Sequence, residues 1–144
     1  MRKLWIAACV YATAGLTAGL LYRTLTHDGF DGKTQLSVTH THFLALGMMV
    51  MLICLALEAA LGFAGSRSFN IFFATYNAGL VITAGVMIWH GLLQLNGQEG
   101  GAAIAGIAGV GHILLTIGIA ALLVSLSGPT KRHLAQREAT RVAA

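Results

Sequence analysis

Charge is scarce in this chain. Only 10% of the residues are Asp, Glu, Lys or Arg, against about 25% in an ordinary soluble domain. Proline occurs once and cysteine twice, which excludes a proline-rich spacer and a disulfide scaffold. No stretch alternates polar and apolar residues as a transmembrane barrel requires. Internal repeats and low-complexity tracts are also missing. What is present is apolar material, 56% of 144 residues.

That material falls into four runs, about 4–22, 41–63, 71–95 and 102–126. Each can cross roughly 30 Å of hydrocarbon at about 1.5 Å per residue. Glu58 is the one formally charged residue within them. The opening Met1-Arg2-Lys3 and apolar run also suit a signal peptide, but the run is long for one and is read as a span. The intervening segments are polar. Arg23 to Gln35 contains the turn formers Asp28-Gly29 and Asp31-Gly32, while Gly65–Ser68 and Asn96–Gly101 are short. Short connections join antiparallel neighbours. The expectation is an all-α integral membrane four-helix bundle over residues 1–128, connected up-down-up-down, followed by a polar tail, 129–144, whose end is frayed or a surface helix.

Arg2, Lys3, Arg67, Lys131, Arg132, Arg137 and Arg141 lie on one side of such a bundle, with Arg23 and Lys33 on the other. The positive-inside rule then puts both termini in the cytoplasm. The net charge of +4 reflects this topology. The basic residues are scattered, with no module around them, so nucleic-acid binding is not expected. Cys9 and Cys54 lie in the cytoplasmic halves of their spans and read as small packing residues. Trp5, Tyr22 and Trp89 read as interfacial anchors, and Tyr11, Tyr76 and Asn77 as hydrogen-bonding groups between helices. The fourth span carries Gly101, Ala105, Gly106, Ala108, Gly109, Gly111 and Gly118, small residues that permit close helix approach, within the chain or between chains.

Ionisable groups inside a bilayer are costly, which makes the span histidines the functional candidates. His40 and His42 open the second span, His90 lies near the end of the third and His112 lies inside the fourth. The expected topology gathers all four in the outer half of the membrane. His27 and His133 fall in polar segments. Two positions apart on a helix is about 200°, so His40 and His42 face opposite ways and cannot share one small ion on a regular helix. Opposite faces suit two planar cofactors flanking one helix. Leu46, Met49 and Ile53 follow His42, while Gly47, Met51 and Cys54 follow His40, and Gly47 leaves room for a ring against the backbone. Met87 lies one turn from His90, a pairing that also suits copper. Glu58 is five turns from His40, at the cytoplasmic end, where it reads as an interfacial residue or a proton-entry or partner site.

The stretch from Ser37 through Thr-His40-Thr-His42-Phe-Leu-Ala-Leu-Gly47-Met-Met49 resembles the His-x-His helix of the haem-copper oxidase catalytic subunit. The likeness is closest to the cbb-type enzymes and extends to the nitric-oxide-response haem-copper membrane proteins. The whole chain also resembles an uncharacterised family of small four-span bacterial membrane proteins with this motif. The oxidase resemblance implies that His40 and His42 each bind a haem b, on opposite faces of the helix. It also implies that the chain corresponds to one four-helix arc of a larger ring, rebuilt as a homotrimer with haem between protomers, His42 from one and His40 from the next; a dimer and a site completed within one chain by His112 are the alternatives. Neither a tyrosine-linked histidine nor an acidic proton path is recognisable. The implied role is therefore electron transfer, or binding or sensing of a diatomic gas, in a bacterial inner membrane beside a respiratory redox partner. The expected cofactor-binding residues are His40, His42, Gly47 and Met49, and the expected metal ligands are His40, His42, His90 and His112. Two other readings stand beside this one. The first is a copper or zinc protein or transporter using His90, His112, Met87 and one second-span histidine. The second is a non-catalytic accessory subunit whose histidines only bond neighbouring helices.

Overall fold

The computed structural model describes residues 1–27, 29–30 and 32–143. The described residues form four long helices and no strand. They are α1 (Arg2–Thr26), α2 (Leu36–Leu61), α3 (Arg67–Leu95) and α4 (Ala102–Ala143), each long and apolar enough to cross a membrane. Asp28 and Asp31, expected to form turns, lie outside the described residues.

Close contacts fix the helix directions. Gly15 faces Leu44 and Gly47 faces Tyr11, so α1 and α2 are antiparallel. Tyr76 of α3 donates to the Leu46 carbonyl of α2 at 2.9 Å. Thr34, just before α2, donates to the carbonyl of Gly91 near the end of α3 at 2.8 Å. In the third pair, Gly79 lies against Gly111 and Leu115, and Gly118 against Tyr76. The starts of α1 and α3 therefore share one end of the bundle, where Lys3 donates to Asn70 at 2.8 Å. This is called the terminal end, and the opposite one the loop end. α1 packs along α2, and α4 along α3. α4 also meets α2 over its second half, Val50–Leu61.

Aromatic packing fills the terminal end. Phe63, Phe69 and Phe72 are fully buried beside Leu4, Ala8, Met51, Cys54 and Tyr76. Phe63 meets Phe69 edge-on at 5.3 Å. The Lys3 ammonium lies 4.7 Å from the Phe69 ring centre, which keeps its charge at the rim while its stem covers apolar surface. α2 ends at Gly62, whose φ of 64° is a left-handed cap that a side chain would strain. The Glu58 carboxylate then accepts from Ala64 N–H at 2.6 Å. Ser66 caps α3 by accepting from Phe69 N–H at 3.1 Å. Glu58 is thus committed to the α2–α3 turn.

Within α2, residues His42–Met49 are π-helical. A π segment widens the helix and loosens its hydrogen-bond ladder. Its packing partners are specific. The Tyr11 ring lies so close to Gly47 that a Cβ there would approach it to 2.5 Å, and Tyr76 supplies the hydroxyl that bonds Leu46.

Two boundaries differ from the sequence expectation. α2 starts at Leu36 rather than near 41, because Ser37 and Thr39 return their hydroxyls to the carbonyls of Thr34 and Gln35 at 2.8 and 2.9 Å. Polar side chains satisfied this way are tolerated in a helix. His40 and His42 consequently lie more than a turn inside α2. The expected polar tail continues α4 as helix through Pro129 to Ala143. The small residues of the fourth span also divide. Gly111 and Gly118 pack against α3, whereas a Cβ at Gly101, Gly106 or Gly109 would meet open space.

Candidate functional site

The first half of α2 does not close onto α4. Between them, with α3 as floor, lies a groove of about 430 Å³ at the loop end, within the roughly 300–1,000 Å³ common for cofactor sites. Val38 and His42 contribute from α2, Thr83, Val86, Met87 and His90 from α3, and Ile104, Ala105, Ala108 and His112 from α4. Gln35, Gly100 and Gly101 lie over its outer end. Three of the four span histidines therefore share one cavity.

Two of these imidazoles are held alike. His42 Nδ1 lies 3.0 Å from the Val38 carbonyl, and His112 Nδ1 lies 2.8 Å from the Ala108 carbonyl. A carbonyl oxygen can only accept, so each Nδ1 carries the proton and donates it. In the neutral ring Nε2 is then bare, its lone pair available to a metal. Histidine ligands are commonly fixed by such a bond from the other ring nitrogen. His90 is half-buried beneath the α3–α4 loop, and a side chain at Gly100 would approach its Nε2 to 2.6 Å.

His40 is turned away from the groove. It packs against α1, where a Cβ at Gly19 would lie 3.7 Å from its own. Its Nε2 is 3.3 Å from the Thr41 hydroxyl, and its buried Nδ1 has no hydrogen-bond partner. The four expected metal ligands thus do not form one set. Among the described residues, no three His, Cys, Asp or Glu side chains lie close enough together to hold an ion. Pairing His42 with the His40 of a neighbouring copy would require His40 to leave α1. The room beside Gly47 is filled by Tyr11, so it offers no slot for a porphyrin. Met49 is 53% exposed on the outside of the bundle and does not line the groove. Met87 is buried and does.

The sequence does not single out Thr83. It is 3% exposed, lines the groove and has no partner for its hydroxyl. The signal was available, since Thr83, Met87 and His90 are spaced four and three apart and share a helix face. Tyr11 and Asn77, expected to bond between helices, do so directly, the Tyr11 hydroxyl donating to the Asn77 side chain at 2.6 Å.

No curated protein and no solved structure matches the chain. A family model matches residues 1–128, which takes in all four helices up to Gly128 and every groove residue. The chain belongs to the family described as Protein of unknown function (DUF2871).

Proposed function

We propose that this chain is an integral membrane haem b protein that carries electrons, with the haem seated in the groove between α2 and α4. One observation carries the reading. His42 and His112 enter the same groove from opposing helices, each with its proton committed to a carbonyl and its Nε2 bare. His42 and His112 would hold the iron through these two nitrogens. An iron held by both imidazoles would favour electron transfer over gas binding. The haem would supply one-electron chemistry. The protein's part is to fix both imidazoles, to present the apolar walls of Val38, Val86, Ile104 and Ala108 to the ring, and to limit water. The unpartnered Thr83 hydroxyl supports a site completed by a ligand.

The absorption spectrum of purified protein, loaded with haem, tests this. We expect a Soret band of the two-imidazole type. Changing His42 or His112 to Ala should convert it to a one-imidazole spectrum, while His40→Ala should leave it in place. Absence of a Soret band would overturn the proposal.

Met87 on the groove floor favours a second reading, a copper(I) ion held by His42, His112 and the Met87 thioether. Bound copper without a Soret band would select it. The distribution of basic residues supports cytoplasmic termini in a bacterial inner membrane. A homo-oligomer, with a trimer as the form implied by the oxidase resemblance, would cover the open side of the groove. Mass measurement in detergent tests this, and a monomer removes it.

A further inference from the structure

Beside the groove, at the loop end, lies a second cavity of about 320 Å³. It shares Gln35 and Val38 with the groove, so the two adjoin at the start of α2. Val38 is also the residue whose carbonyl fixes His42. The chemistry of the cavity is one-sided. Lys33, Tyr22 and Gln94 line it, and among the described residues no Asp or Glu does. The Gln94 side-chain oxygen is already used, accepting from Gln35 N–H at 2.8 Å, so its amide is oriented with the NH2 free. The Lys33 ammonium and the Tyr22 hydroxyl have no hydrogen-bond or ion-pair partner among the described residues. An excess of unpaired donors around a cation, with no acceptor charge in the wall, is the signature of an anion site.

We infer that this rim cavity binds the carboxylates of the tetrapyrrole seated in the groove, with Lys33 as the charged contact and Gln94 and Tyr22 as neutral donors. The inference rests on the haem reading and extends it by fixing which edge of the ring faces outward. The macrocycle meets Val38 and the apolar groove, while its two acidic side chains pass Gln35 to the rim. Lys33 is a positioning residue, since it holds the ring's edge and does not touch iron.

The test compares haem b with its dimethyl ester, which keeps the iron and ring but lacks both negative charges. Wild-type protein in detergent should bind the ester about ten-fold or more weakly, as expected for loss of a charge-assisted contact. Lys33→Gln should bind haem b more weakly and lose most of this discrimination, whereas Lys33→Arg should retain it. Lys33 is exposed, and retained helicity by circular dichroism would verify folding. Equal binding of the two compounds by wild type, or undiminished discrimination in Lys33→Gln, would overturn the inference while leaving the haem reading intact. Failure of wild type to bind either compound would remove both. A lipid phosphate is the competing anion at this depth. If Lys33→Gln lowers affinity for anionic-lipid vesicles but not discrimination against the ester, the cavity is a headgroup site and the inference fails.

Discussion

The Tyr76 hydroxyl donates a 2.9 Å hydrogen bond to the carbonyl of Leu46, inside the π-helical segment of α2. This joins α3 to the stretch that begins with His42, so the groove floor and one of its imidazoles are mechanically linked. Removing the hydroxyl in Tyr76→Phe should cost about 0.5–1.5 kcal/mol, measured by denaturant unfolding in detergent. The α2 backbone near His42 should also exchange amide hydrogen faster in this variant.

The α3–α4 crossing predicts a contrast between two glycines. A Cβ at Gly79 would lie 2.7 Å from the Gly111 carbonyl oxygen, backbone that cannot swing aside, whereas one at Gly109 would meet nothing. Gly79→Ala should therefore destabilise by about 1–3 kcal/mol. Gly109→Ala should not destabilise a monomer. A loss of stability in Gly109→Ala that grows with protein concentration would instead indicate another copy packed on that face.

Gly100 provides a local probe of His90. A methyl group there would collide with the imidazole, approaching Nε2 to 2.6 Å. Gly100→Ala should displace the ring or the loop and shift the Soret band of the haem-loaded protein, with overall stability changed by less than about 1 kcal/mol. Gly101→Ala, one residue away with open space around it, should leave the spectrum unchanged.

Lys3 ties the start of α1 to α3 through Asn70 and lies over Phe69 and Phe73, at 4.7 and 5.1 Å from the ring centres. Lys3→Ala should cost about 0.5–1.5 kcal/mol. Lys3→Met should recover the part due to the stem covering the aromatic rings. Thermal unfolding of both variants separates the charge from the packing.

The four helices were legible because hydropathy over some twenty residues is a strong signal. The start of α2 was not, since Ser37 and Thr39 read as loop until their bonds to preceding carbonyls are seen. Spacing alone turns His40 and His42 apart, and the structure does so, with one against α1 and the other in the groove. Spacing carries no information on which neighbour each meets. The partners of the π segment, Tyr11 and Tyr76, are distant in sequence, and no local pattern announces them. Gly47 marks space against the backbone, and its occupant, Tyr11, is a residue of this same chain. In the sequence Lys33 speaks only to topology, because its unpaired state is a property of the fold.

α4 runs on as one rod well past the depth of a bilayer. From Gly111, where it crosses α3, to Ala143 it extends roughly 48 Å at 1.5 Å per residue. Its last buried residue is Ser125, so the segment past it projects roughly 27 Å clear of the bundle. An arm of that length, carrying Lys131, Arg132, Arg137 and Arg141, can meet a surface that the rest of the bundle does not reach.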